Sequence, residues 1–398
     1  MKKSPFLFGC CLLLLFCNGC RPRPNRFVID LRVPGLAVGD KIIMSRFNLF
    51  DCSEVKTDTV ILTENGRCCF SDTISDAWLY SFQHKPVIPY PFKKNPYGKS
   101  VFVDAGHRLL ITAPGLDSIF APHIKGGFYD DSLIALYSKM EKDIDRNCIS
   151  KFDRFERFRS DTTVARDTIM KYYEEYKEAH RAPEEMKKLY QFITDSVNDS
   201  KFAAYLFIEN AKYEDKEVSE LKNRFERFTP EVKSSVVGKI VSDILYVREK
   251  LDPGSEAPDF TLIDQNEDTV SLSDFKGKYL LMYHWDLCSG VFSIQPDVKR
   301  LYEQFHDQGL EVLATTRSST VDLLSKHQED ELFGSLVKAS WITVYIDKPE
   351  NAFFEELFMM QGTPMFTLIS PEGVILAHDY SKAFYQSKKI IKQAFTEE

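Results

Sequence analysis

Most features that mark a function at first sight are missing from this chain. The eight histidines are scattered, with no His-x-x-His or His-Glu-x-x-His spacing, and beyond the first twenty residues there is no Cys-x-x-Cys. No metal site is therefore expected, because a bound ion needs several ligands converging from fixed intervals. There is no Gly-rich phosphate loop; Lys125-Gly126-Gly127-Phe128 is too short and lacks the partner residues. No Gly-x-Ser-x-Gly turn presents a serine nucleophile, and nothing implies a cofactor. A formal charge of −8 over 398 residues is ordinary, and no basic stripe argues for nucleic acid. After the first residues no apolar run is long enough to cross a bilayer.

The first apolar run is short. Lys2 and Lys3 precede Phe6 to Phe16, about eleven almost wholly apolar residues, too few for a transmembrane helix. Residues 1–19 are read as a targeting segment and set apart from the fold. Gly19-Cys20 then resembles a lipoprotein cleavage site with a lipidated Cys20, although Cys17 and Asn18 are atypical of that motif. Simple secretion with cleavage near Gly19 stands as the alternative. Residues 20–25 would form a stiff, polar tether through Pro22 and Pro24. The lipid reading implies an envelope protein held to a membrane, at the periplasmic face of an outer membrane.

Such a mature chain keeps Cys52, Cys68, Cys69, Cys148 and Cys288. The number is odd, so at least one thiol stays free or pairs between molecules. Export permits disulfides, but the spacing forms no framework. Cys68 and Cys69 are adjacent in a predicted strand, where side chains point to opposite faces, and they read as two small hydrophobes.

Three regions follow. Residues 26–128 alternate apolar and polar between turn residues, as in Phe27-Val28-Ile29-Asp30-Leu31-Arg32-Val33 before Pro34-Gly35. Short strands at close spacing predict a small β-sandwich-like domain. Residues 129–250 carry apolar residues at three- and four-residue spacing. Helices are expected at Ser132 to Ile144, Asp167 to Ala179, Pro183 to Ser196, Lys201 to Lys212 and Val232 to Lys250, which together read as a helical connector. Two pentads, Arg154-Phe155-Glu156-Arg157-Phe158 and Arg224-Phe225-Glu226-Arg227-Phe228, would pack their Phe pairs inward and leave their arginines in water. The flanking sequences differ, so the pentads read as coincidence rather than as a repeat. From 253 to 398, strands alternate with helices as in a sheet covered on both faces. The expected class is multidomain α+β with a C-terminal α/β domain.

The chemistry concentrates in that last region. An apolar strand, Leu280-Leu281-Met282-Tyr283, leads through His284-Trp285-Asp286-Leu287-Cys288 into a helix start, with Pro296 inside the helix and Gly362-Thr363-Pro364 far downstream. With Gly254-Ser255-Glu256-Ala257-Pro258-Asp259-Phe260 and Leu272-Ser273-Asp274-Phe275-Lys276-Gly277-Lys278, this resembles the TlpA/ResA-type thioredoxin-like family, related to AhpC/TSA proteins. The first region resembles the DUF4369-type domain often fused to such domains in envelope proteins of Bacteroidetes. The resemblance implies a thioredoxin-like fold and thiol–disulfide exchange with envelope proteins or peptides. Cys288 matches the first cysteine, Pro296 the helix proline and Thr363-Pro364 a cis-proline that pairs with an extended substrate chain. Val291 stands where the resolving cysteine belongs, Ile294 replaces a common glutamate and Leu287 the tryptophan.

A dithiol reductase attacks with one thiolate and resolves with the second thiol, so Val291 excludes the ordinary two-stroke cycle. Two readings remain open: monothiol exchange through Cys288, or a non-catalytic module that binds protein through the cis-proline groove. Asp286 would raise the Cys288 pKa by repulsion, and His284 reads as a structural strand residue. A peroxidase needs Thr or Ser three residues before its cysteine, where Trp285 stands. Arg317 is expected to cap the strand after Ala314.

Overall fold

The computed structural model describes residues 25–50, 53–86, 99–159, 164–214, 217–287, 289–326, 328, 334, 336–360 and 362–396. They fall into two compact units. The first holds the chain up to Met44 and Asp58–Arg181; the second holds Ser45–Thr57 and everything from Ala182 onward.

In the first unit, β1 (Arg26–Arg32) lies between β4 (Arg67–Thr73), antiparallel to it, and β7 (Arg108–Thr112), parallel to it, with β8 (His123–Lys125) outside β7. A second four-stranded sheet has the order β3 (Glu54–Ile61), β2 (Lys41–Phe47), β5 (Trp78–Lys85), β6 (Val101–Val103). Alternation sends one face of each strand inward. Phe27 and Phe70 of the first sheet meet Tyr80 of the second at 4.9 and 6.0 Å between ring centroids, as in a sandwich core. The Gly126-Gly127 turn has a structural reason. A Cβ on Gly126 would lie 1.9 Å from the Arg108 carbonyl oxygen, and one on Gly127 would lie 2.5 Å from the His107 ring.

Helix α1 (Ser132–Arg159) runs fifteen residues past its expected end at Ile144. The extension is held by tertiary packing: Phe155 and Phe158 lie against Tyr173 and Tyr172 of α2 (Arg166–Ala179), at 5.5 and 4.5 Å. Both helices belong to the first unit. The run read as one connector is thus divided, because α3 (Glu184–Ser196), α4 (Lys201–Tyr213), α5 (Val218–Phe225), α6 (Pro230–Ser234) and α7 (Val236–Leu251) belong to the second.

The pentads part company here. In the first, Arg154 and Arg157 are exposed as expected. In the second, Arg224 is buried, contrary to expectation. Its guanidinium bonds Asp195 at 2.7 Å and Glu214 at 2.6 Å and lies over the Phe207 ring. Two carboxylates make burial of the charge tolerable, whereas amphipathic spacing alone placed it in water. The single helix expected over Val232 to Lys250 is broken at Ser235, whose hydroxyl accepts the Gly238 N–H at 3.2 Å and restarts the helix.

Also in the second unit, β11 (Tyr279–His284), β12 (Leu310–Thr316), β13 (Ile342–Tyr345), β14 (Met365–Ile369) and β15 (Ile375–Asp379) form a sheet of order β13-β12-β11-β14-β15. The first three are parallel, and β14 and β15 are antiparallel to their neighbours. Helix α8 (Ser289–Phe305) follows β11, α9 (Ser318–Ser325) follows β12, α10 (Phe353–Leu357) precedes β14 and α11 (Ser381–Thr396) closes the chain. This is the thioredoxin-like arrangement. Its edges are covered locally: the 254–257 lead-in bonds along β15, and the turn between β9 (Thr261–Ile263) and β10 (Thr269–Ser271) bonds to Thr343 of β13.

Candidate active site

Strand β11 is buried along nearly its whole length because the sheet is covered on both faces. Leu281, Tyr283 and Trp285 point to one side, into a cluster with Val291, Ile294, Val298 and Leu301 of α8. His284 points to the other side. Its Nδ1 lies 3.0 Å from the Thr315 hydroxyl, which donates to the Met360 sulfur at 3.6 Å. Burial pushes the His284 pKa down to about 4; Arg317 acts in the same direction and Asp286 against it. His284 is therefore a neutral, structurally engaged ring at neutral pH, as its strand position suggested.

Beyond His284 the chain turns. The Trp285 N–H donates to Thr315 O at 2.9 Å. One oxygen of Asp286 accepts both the Leu287 N–H and the Thr320 hydroxyl, each at 2.7 Å. Arg317 reaches the other oxygen at 3.9 Å and binds Glu355 at 3.1 Å. β12 runs to Thr316, two residues past Ala314, and Arg317 follows it directly as the residue before α9. Leu287 is left 40% exposed, and α8 begins at Ser289.

Val291 and Ile294 are 0% and 4% exposed. Both are core side chains, packed with Trp285 and Val298. Pro296 lies inside α8, exposed on its outer face.

The Thr363-Pro364 bond is cis, with Thr363 half-buried and Pro364 buried. The register of β14 sets Met365 opposite His284, so the cis-proline lies beside the end of β11 where the chain leaves for α8. Gly362 sits under the Tyr380 ring; a Cβ there would lie 2.7 Å from a ring carbon.

Of the residues singled out in the sequence, Thr363 and Pro364 come to the end of β11. Cys288, Cys20 and Cys52 lie outside the described residues, as does the whole leader. Cys68 is buried and its pKa is pushed up to about 12 by that burial, while Cys69 on the opposite face is exposed. Cys148 donates to Ala179 O at 3.0 Å between α1 and α2. Thr320 and Glu355 carried no local signal, because their partners stand 34 and 38 residues away in sequence. Among the described residues, no helix is long and apolar enough to cross a membrane.

Residues 253–378 match the AhpC/TSA family model. The chain is 35% identical over 130 residues to the thiol-disulfide oxidoreductase ResA of Bacillus subtilis (strain 168), covering 32% of this chain and 68% of that protein. It is 32% identical over 73 residues to ResA of Bacillus thuringiensis subsp. konkukian (strain 97-27), spanning 18% of this chain and only 42% of that relative's length. Among solved structures, the thioredoxin domain of a thiol-disulfide oxidoreductase from Bacteroides vulgatus is 28% identical with a TM-score of 0.29, over 35% of this chain and 99% of that one.

Proposed function

The chain belongs to the TlpA/ResA-type thioredoxin-like family, and from that premise we propose that it carries out monothiol exchange through Cys288 in the cell envelope. The observation that carries this reading is the sequence position of Cys288, between the end of β11 and Ser289, the first residue of a 17-residue helix. Unpaired N–H groups and the helix dipole at such a start favour a thiolate over a thiol.

The thiolate attacks one sulfur of a substrate disulfide. A bond forms between Cys288 and that sulfur, the substrate S–S bond breaks, and its other sulfur leaves as thiolate. With valine at 291, an external thiolate must then attack the mixed disulfide, form a new disulfide with the substrate sulfur and return Cys288 as thiolate. The cis-proline loop, with Thr363 and Pro364 beside β11, would hold an extended segment of the substrate.

The remaining assignments rest on sequence pattern. Cys20 would carry the lipid that anchors the chain at the periplasmic face of an outer membrane, and residues 26–128 would be a DUF4369-like domain.

A second reading draws on the packing of Val291 and Ile294 into the core: the scaffold is kept while the dithiol machinery is gone, leaving a module that binds protein without reacting. One experiment separates the two. Labelling of Cys288 by iodoacetamide, followed by mass spectrometry across pH, is expected to show a midpoint well below the free-thiol value of about 8.5. Cys288→Ser is expected to abolish mixed disulfides with envelope proteins. Labelling only after unfolding, with partner capture unchanged in Cys288→Ser, would leave the binding reading.

A further inference from the structure

Strand β3 ends the second four-stranded sheet, beyond β2, and among the described residues no strand bonds its far side. None of its eight residues is buried, whereas β2 beside it sends Ile42 and Met44 into the core. Val55 and Ile61 are 47% and 58% exposed. The Leu62 N–H donates to Asp40 O at 2.8 Å and the Ser45 and Thr57 hydroxyls meet at 3.1 Å, which sets Leu62 opposite Asp40 and Thr57 opposite Ser45 in one antiparallel register. Residues of such a ladder bond alternately to one side and to the other. Leu62 bonds toward β2, and Val60, Asp58 and Lys56 follow it. Ile61, Thr59, Thr57 and Val55 therefore turn their N–H and carbonyl groups to the outer edge. An edge of that length, with apolar side chains exposed along it, is a template for another strand.

We propose that this edge pairs with the same edge of a second copy of the chain, antiparallel about a two-fold axis through Thr57, joining two four-stranded sheets into one. The charge pattern selects this occupant and this register. With Thr57 opposite its own counterpart, Lys56 stands opposite Asp58 of the second copy and Asp58 opposite Lys56, a match that the symmetry makes twice. Both pairs fall at positions without ladder hydrogen bonds, where facing side chains come closest. Val55 then lies opposite Thr59, and Glu54 opposite Val60, with no conflict of charge. An axis at Lys56 would set Lys56 against Lys56 and Glu54 against Asp58; an axis at Asp58 would set Asp58 against Asp58. An axis at Thr59 gives Asp58 no cation, and one at Val55 matches Glu54 with Lys56 but pairs only three residues of the strand. A lysine on an edge ordinarily blunts indiscriminate pairing. Here it also favours the one partner that brings a carboxylate to meet it. The pairing does not depend on the chemistry of Cys288.

The test is sedimentation velocity of the full soluble chain from low to high micromolar concentration, which is expected to show a reversible monomer–dimer equilibrium that weakens with salt. Lys56→Asp sets like charges opposite each other at both symmetry-related positions and should weaken dimerisation by about tenfold. Lys56→Asp combined with Asp58→Lys exchanges the two charges and should restore it. In Thr57→Cys the substituted positions of the two copies would have Cα atoms about 5.5 Å apart, within reach of a disulfide. Oxidation by copper–phenanthroline should therefore link position 57 to position 57, identified by peptide mass spectrometry, whereas Thr59→Cys, set off from the axis, should not link to itself. Lys56, Thr57 and Thr59 are exposed and Asp58 is half-buried, so the variants should fold. Circular dichroism checks this, and the double exchange against the single change separates pairing from folding. A chain that stays monomeric at every concentration would overturn the proposal. So would a dimer indifferent to the charge variants, because it would use another surface.

Discussion

Replacing Val291 with cysteine exchanges one small apolar side chain for another within a cluster that includes Trp285, Ile294 and Val298. The lost methyl costs about 1 kcal/mol, the scale of an Ile→Val change in a core, so Val291→Cys should fold. It is expected to gain an intramolecular disulfide with Cys288, seen by mass spectrometry, and to turn over a disulfide substrate without the external thiol that the proposed monothiol exchange needs. A folded Val291→Cys protein that never forms the 288–291 bond would show that more than one side chain separates this site from a dithiol site. His284 gives a pH prediction with a definite sign. Its folded pKa is pushed down to about 4 from an ordinary 6.5, chiefly by burial. Below 6.5 the unfolded chain binds a proton that the folded chain refuses. The stability attached to the neutral ring is therefore complete above about 6.5 and lost as pH falls toward 4, by up to about 3 kcal/mol. Urea unfolding at pH 7 and 4.5 should show a smaller drop in His284→Gln than in the wild type.

At the scale of elements, the α6–α7 junction carries the firmest expectation. A Cβ on Gly238 would lie 2.1 Å from the Val232 carbonyl oxygen and 2.7 Å from the Lys233 Cα. These are backbone atoms, which cannot turn aside as a side chain can. Gly238→Ala should therefore cost about 3 kcal/mol, the upper end of ordinary overpacking, read as a lowered urea midpoint. Ser235→Ala, which removes the cap and leaves the backbone free to stay, should cost only about 1 kcal/mol. The sequence carried this break weakly, because the apolar spacing expected over Val232 to Lys250 continues through Ser235 and hides the restart. The strand ends in the last region were far more legible. The expected strand at Leu280 to Tyr283 lies within the observed β11, because a continuous apolar run directly after a Gly-Lys turn marks a fully buried strand. The β9–β10 hairpin, of three residues per strand, is too short for periodicity to reveal.

At the scale of the molecule, the second unit is discontinuous. Ser45–Thr57 belongs with the chain from Ala182 onward, and Lys212 Nζ donates to the carbonyls of Leu49 and Phe50 at 2.9 and 2.7 Å. A fragment beginning at Ala182 lacks those acceptors. It is expected to unfold at lower urea than the same residues in the full chain, followed through Trp285 and Trp341, with labelling of Cys288 unchanged because the thioredoxin-like sheet is complete within it. Equal midpoints would mean that Ser45–Thr57 adds nothing to the unit's stability.

Local chemistry was enough to indicate the alternation of strands and helices from β11 onward and the thioredoxin-like class. Each depends on residues close together in the chain or on an ordered series of short motifs. Only the tertiary structure decided that Arg224 is buried between two carboxylates, that α1 continues to Arg159 against the tyrosines of α2, and that Asp286, Thr320, Arg317 and Glu355 meet at one turn. The physical reason is the same in each case. A charge or an aromatic ring takes its surroundings from partners tens of residues away, and no spacing within the chain records which of them packing will bring close.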